Sequence, residues 1–217
     1  MRPMIVLVAG WAAAMVGCGQ PERGLPAGRD AAAKGPADPA VQQPGPDRFS
    51  VRFETTAGNF TVEVDRALAP HGADRFYALV RQEFFDGQRF FRVLPGFVVQ
   101  WGLSGDPAVN RAWHGATIVD DPVKGSNTPG TITFAKTNAP NSRTTQLFIN
   151  LGDNSRHLDD AGFAPFGRVV DGMQAVQAIT AEYGEKPQQN LIGQQGNAYL
   201  QSAFPNLDYI TSARVVE

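Results

Sequence analysis

The chain has 217 residues and a formal net charge of −2, length enough for one well-buried domain with a short appendage. Lys and Arg are scattered, which excludes the basic patch of a nucleic-acid-binding surface. One cysteine excludes an internal disulfide and a multi-cysteine metal site, and the three histidines, at 71, 114 and 157, lack ligand spacing. No metal or cofactor is expected. Gly (23) and Phe (14) are abundant, which favours strands and turns over a helix bundle.

Residues 1–18 read as a signal peptide. Arg2 precedes an apolar stretch from Met4 to Val16, too short to span a bilayer comfortably. The stretch ends Met15-Val16-Gly17-Cys18, which resembles the lipobox of bacterial lipoproteins. That resemblance implies lipidation of Cys18, export, and a lipid anchor on a bacterial membrane facing the periplasm. The competing reading is a stray cysteine beside an ordinary cleavage site. Residues 19–48 hold six Pro, five Gly and six Ala and no aromatic. Such a segment buries too little apolar area to offset its ordering entropy, so it reads as a disordered tether of about 30 Å reach.

The domain is expected to span 49–217. Phe49–Thr55 and Phe60–Asp65 alternate apolar and polar around Ala57-Gly58-Asn59, a hairpin. Pro70 opens a helix in which Phe76, Leu79, Val80 and Phe84 share one face. Phe90 to Leu94 and Phe97 to Trp101 are apolar runs around a Pro95-Gly96 turn. Arg92 is the anomaly within them, since Arg is seldom buried unless paired. Taken alone, it reads as the wet face of an edge strand. Leu103 to Pro129 reads as a long loop, in which Trp113 packs. Strands are expected at Gly130–Ala135, Thr145–Asn150, Phe163–Val170 and Asp208–Val215, and a second helix at Gly172–Thr180. This pattern predicts a mostly β fold: an antiparallel barrel with two helices plugging its ends. Residues 188–206 form a polar insert with room for a short helix. His71 and His114 read as surface residues.

Three segments together resemble the cyclophilin family of peptidyl-prolyl cis–trans isomerases. FFRVLPGFVVQWG is similar to the family's Phe-His-Arg-Val/Ile-Ile-Pro-Gly-Phe-Met-x-Gln-Gly-Gly pattern. GTITFAKTNAPNSRTTQLFIN and FAPFGRVVDGM follow in the family's order. The resemblance implies a closed eight-stranded antiparallel barrel capped by two helices, with a shallow outer groove as active site. It assigns Arg92 as the catalytic Arg and Gln100 as its helper. Phe97, Val98, Ala135, Lys136, Gln146, Phe148, His157, Leu158 and Phe163 would line the proline-peptide groove. Val98 stands for the usual Met, Lys136 for Asn or Arg, Trp101 for Gly, His157 for Trp or Phe, and Phe163 for His or Tyr. Trp at the His157 position favours cyclosporin in the family, so weak drug affinity is expected.

The residues suit that reaction. Rotating an X–Pro bond costs about 18–20 kcal/mol because amide resonance is broken. It needs no nucleophile, and the sequence offers no triad, carboxylate dyad or metal cluster. A fixed cation that favours the twisted imide over both planar forms would suffice. The expected partners are proline-containing unfolded or extended polypeptides of exported or envelope proteins, with no nucleic acid, and the chain is expected to act as a monomer assisting folding. Two rival readings are a non-catalytic proline-peptide-binding module anchored at the envelope and a purely structural lipoprotein. In either, the aromatics would be ordinary core and Gln146 a satisfied structural amide.

Overall fold

In a computed structural model, which describes residues 35–216, the first alternating segments pair antiparallel as β1 (Arg48–Thr55) and β2 (Gly58–Asp65). Phe49, Val51 and Phe53 from β1 and Phe60, Val62 and Val64 from β2 enter the core. The other strands are β3 (Arg92–Leu94), β4 (Val98–Trp101), β5 (Thr131–Phe134), β6 (Leu147–Asn150), β7 (Pro165–Asp171) and β8 (Ile210–Val216). They form one antiparallel sheet in the order β3-β4-β6-β5-β7-β2-β1-β8. The sheet curls into a half-barrel around a core rich in Phe. At the two ends of this order, the segment before β3 meets β8 through an isolated Arg89–Tyr209 bridge. Phe90 N–H donates to Asp208 O, and Ile210 N–H donates to Gln88 O.

Several helices cover the half-barrel, where the sequence predicts two. The two expected are α1 (Pro70–Arg81) and α4 (Met173–Ala178). The additional ones are α2 (Pro107–Trp113), α3 (Ser155–Leu158), α5 (Gln189–Gln195) and α6 (Asn197–Ala203). In α2, Asp106 caps Ala108 N–H at 2.7 Å and Pro107 takes the first turn, so the predicted loop 103–129 contains a helix. Trp113 at its end is buried against Phe84, as loop packing requires.

The N-terminus of α1 is capped from a distance. Asp121 accepts from the N–H groups of His71 (3.0 Å) and Gly72 (2.9 Å) and from Arg143 Nη1 (3.0 Å). Arg143 and Asp121 are fully buried, so their charges are matched inside the protein. Nearby Arg75 lies over Trp113 and donates to the carbonyls of Ala116 and Thr144. Burial first, and the Arg143 charge second, pull its pKa down to about 10.

The signal peptide, Cys18 and the tether up to residue 34 lie outside the described residues. Between Gly35 and Arg48, part of the expected tether lies against α1. Pro39–Gln42 form a 3-10 turn capped by Asp38, and Val41 is buried in the main core cluster. Gly45 N–H donates to Asp74 at 2.9 Å, and a Cβ at Gly45 would stand 3.0 Å from that of Tyr77. One branched apolar side chain and one glycine let the chain lie against α1, which composition averaged over thirty residues conceals.

Candidate active site

The β3–β4 hairpin turns at Leu94-Pro95-Gly96-Phe97, with Phe97 N–H donating to Leu94 O at 2.9 Å. Gly96 has φ +74°, the left-handed conformation that the third position of a type II turn requires. The turn sets the register Arg92–Gln100, and the ladder extends it to Phe148 and Thr133. Strand alternation then divides the sheet. The neighbouring row Val93–Val99–Ile149–Ile132 joins the core, whereas Arg92, Gln100 and Phe148 stand outside the core cluster. Phe148 and Val98 are nonetheless covered and form a floor.

Three strands, β3, β4 and β6 with the residue before it, thus bring Arg92, Gln100, Gln146 and Phe148 together. Arg92 Nη1 donates to Gln100 Oε1 at 3.2 Å, and Gln100 Nε2 donates to Gln146 Oε1 at 2.9 Å. The Arg92 guanidinium carbon lies 5.5 Å from the centre of the Phe97 ring, within cation–π range. Its side chain is 26% exposed, so the group is sheltered but reachable. Beyond Gln146, whose carbonyl accepts from Ala135 N–H, the Phe148 and Phe163 rings meet edge to face at 5.9 Å. Lys136 Nζ sits 5.6 Å over the Phe163 ring and donates to Ala161 O. Leu158 is half-buried on α3, and Phe163 N–H donates to its carbonyl. His157 on the same helix is exposed, at the rim rather than in the floor.

Two features of the site carry no signal in the sequence pattern. Glu185 Oε2 accepts from Arg92 Nε and Nη2, both at 3.2 Å, from 93 residues further along the chain. A buried amide network also fixes the backbone beneath both aromatics. Asn127 Nδ2 donates to Phe163 O, and Asn154 Nδ2 donates to Phe97 O and to Asn150 Oδ1. Asn127 Oδ1 accepts from Thr133 and Asn150, and Asp159 accepts from Ser126 and Asn127. Desolvation raises the Asp159 pKa, but the hydrogen bonds from Ser126 and Asn127 outweigh it and hold the carboxyl below its ordinary value. A cavity of about 310 Å³ lies elsewhere, along β2 and β7, and shares no residue with this groove. Among the described residues no cluster of acidic, His or Cys side chains could hold a metal ion.

Residues 50–194 match the family model of the cyclophilin-type peptidyl-prolyl cis-trans isomerases. The chain belongs to the cyclophilin family. It is 36% identical over 150 residues to a peptidyl-prolyl cis-trans isomerase of Acinetobacter baylyi, covering 62% of this chain and 75% of that one. It is likewise 36% identical over 153 residues to peptidyl-prolyl cis-trans isomerase A of Dickeya dadantii, covering 65% of this chain and 77% of the relative. A crystal structure of a Cryptosporidium parvum cyclophilin type peptidyl-prolyl cis-trans isomerase has a TM-score of 0.60 at 18% identity, covering 78% of this chain and 98% of that one. The same protein was also solved in the presence of the dipeptide Ala-Pro, with a TM-score of 0.58 at 18% identity, covering 77% of this chain and 99% of that one. In this cyclophilin Arg92 lies beside Gln100, Phe97 and Glu185, and Gln100 links it to Gln146.

Proposed function

We propose that this cyclophilin isomerises X–Pro bonds of extended or unfolded polypeptides in the groove between Arg92 and Phe163. The observation that carries the reading is the row of side chains itself. A cation held by Gln100 and Phe97 stands beside an apolar floor of Val98 and Phe148. The proline ring would rest on Phe97, Val98, Phe148, Leu158 and Phe163. Gln146 and the backbone at Ala135 would align the peptide, and Lys136 and His157 would border it. As the X–Pro bond twists, the imide nitrogen lone pair localises, and the Arg92 N–H groups interact better with it than with either planar form. That difference lowers the barrier without a covalent step or net proton transfer.

We also propose that the bonds between the segment before β3 and β8 close the half-barrel into a barrel. The domain would act as a monomer, exported, lipidated at Cys18 and held on the periplasmic side of a bacterial membrane. The apolar stretch ahead of Cys18 supports the export reading. No helix among the described residues is long and apolar enough to cross a membrane. A Cys18→Ser variant that leaves the membrane fraction, while the parent stays, is the expected result for the anchor.

The decisive experiment is a coupled cis–trans assay on short X–Pro peptides with the full chain, wild type beside Arg92→Ala. Turnover by the wild type and its loss in the variant support the reading. Peptide binding without rate enhancement supports a binding module instead.

A further inference from the structure

The guanidinium of Arg92 has five N–H donors. Glu185 takes those of Nε and one of Nη2, and Gln100 takes one of Nη1. One N–H on each Nη remains. The carboxylate is delivered by a loop that is itself fixed. Val93 N–H donates to Gly184 O at 3.0 Å, which ties the loop to β3 one residue from Arg92. Gly184 turns with φ +58°, and its N–H donates to Ala181 O. Tyr183 packs edge to face on Phe204 at 5.2 Å, within a second apolar cluster of Phe91, Ile192, Leu200 and Leu207. The insert carrying α5 and α6 therefore anchors the loop on the flank of β3. Glu185 itself is 65% exposed, so its charge faces whatever enters beside Arg92.

We infer that Glu185 is a positioning and specificity residue of this groove: it aims the remaining N–H groups of Arg92, and its charge favours peptides with a cationic residue next to the proline over those with an acidic one. The inference rests on the X–Pro isomerase reading above. The aiming follows from geometry. An Arg side chain has several rotatable bonds, and a partner on its Nε edge removes the freedom to swing the fork out of the groove. The specificity follows from charge. An exposed carboxylate one guanidinium width from the reacting bond attracts a nearby cation and repels an anion, and salt screens both effects.

Two substitutions separate the roles. Glu185→Gln keeps an acceptor for Arg92 but no charge; Glu185→Ala keeps neither. On a peptide with Ala before Pro, the Ala variant should lose kcat roughly three- to tenfold with KM nearly unchanged, and the Gln variant should retain most of it. The wild-type ratio of kcat/KM for Lys-Pro over Glu-Pro peptides should fall roughly threefold in both variants, and the wild-type ratio should itself shrink in 1 M salt. Thermal unfolding should stay unchanged, since the pair is exposed. Turnover with unaltered kcat and an unaltered Lys/Glu ratio in both variants overturns this inference alone. Absence of turnover in the wild type overturns the isomerase reading, and this inference with it.

Discussion

Arg92 is set from four sides: Gln100 by strand register, Phe97 by a turn, Glu185 by a loop, and the solvent by the open face of the groove. Removing it should lower kcat/KM by about 10²–10³, the usual effect of losing one donor aimed at the transition state. Arg92→Ala should leave the melting temperature nearly unchanged, because the side chain stands outside the core. Arg92→Lys should recover little, since a point charge cannot bond Gln100 and Glu185 and still face the groove. Paired kinetics and thermal melts check all three statements. His157 belongs to the same scale. Exposed at the rim, it gives no aromatic wall of the kind Trp supplies in the family, so cyclosporin should inhibit only weakly; submicromolar inhibition would contradict this. Arg92, Gln100, Gln146 and Phe148 were legible as site candidates because the motif preserves their order and alternation puts them on one face. Glu185 was not, because an exposed Glu in a polar loop is the commonest surface residue pattern and only the fold brings it to Arg92.

Among the elements, α1 depends on a residue of the 103–129 loop. Asp121→Ala would leave two helix N–H groups without their acceptor and take from the buried Arg143 its buried carboxylate partner, with Asp120 and the Val119 carbonyl remaining. Breaking a buried pair of this kind costs about 3–5 kcal/mol, so denaturant unfolding should show a loss of that order. The turn between α3 and β7 supplies a pH test. The Asp159 carboxyl is held below its ordinary pKa in the fold, so the unfolded chain binds the proton more readily. Its contribution is present above the unfolded carboxylate pKa and is lost as pH falls through the lowered folded value. Stability measured from neutral to acid pH should therefore fall less steeply in Asp159→Asn than in the wild type. Strands were readable because alternation with period two survives even in short segments. α2 was hidden because about two turns give little periodicity, although Asp106-Pro107 carries the cap-and-proline signature of a helix start.

At the scale of the whole molecule, the described chain is one domain with a strap. The strap at Pro39–Gln42 lies on α1 and places Val41 in the core. Val41→Ala should lower stability by about 1–2 kcal/mol, the expected effect of removing two buried methyl groups, with kcat/KM on X–Pro peptides unaltered. An unchanged unfolding midpoint would show that the strap is not part of the cooperative unit. The insert at 188–206 carries α5 and α6. Its apolar cluster around Phe91 is separate from the main core, and the loop it anchors brings Glu185 to Arg92.

Taken by itself, the sequence determined the strand alternation, the Pro95-Gly96 turn, Arg92 on an outer strand face, and the family that its three motifs resemble. These are local properties: periodicity and turn chemistry act over a few residues. The tertiary structure alone decided that Glu185 meets Arg92, that Asp121 caps α1, that Asn127 and Asn154 hold the aromatic backbones, and that Val41 is core. Each of those contacts joins segments distant along the chain, and its energy comes from pairing groups that only a closed packing can bring within 3–4 Å.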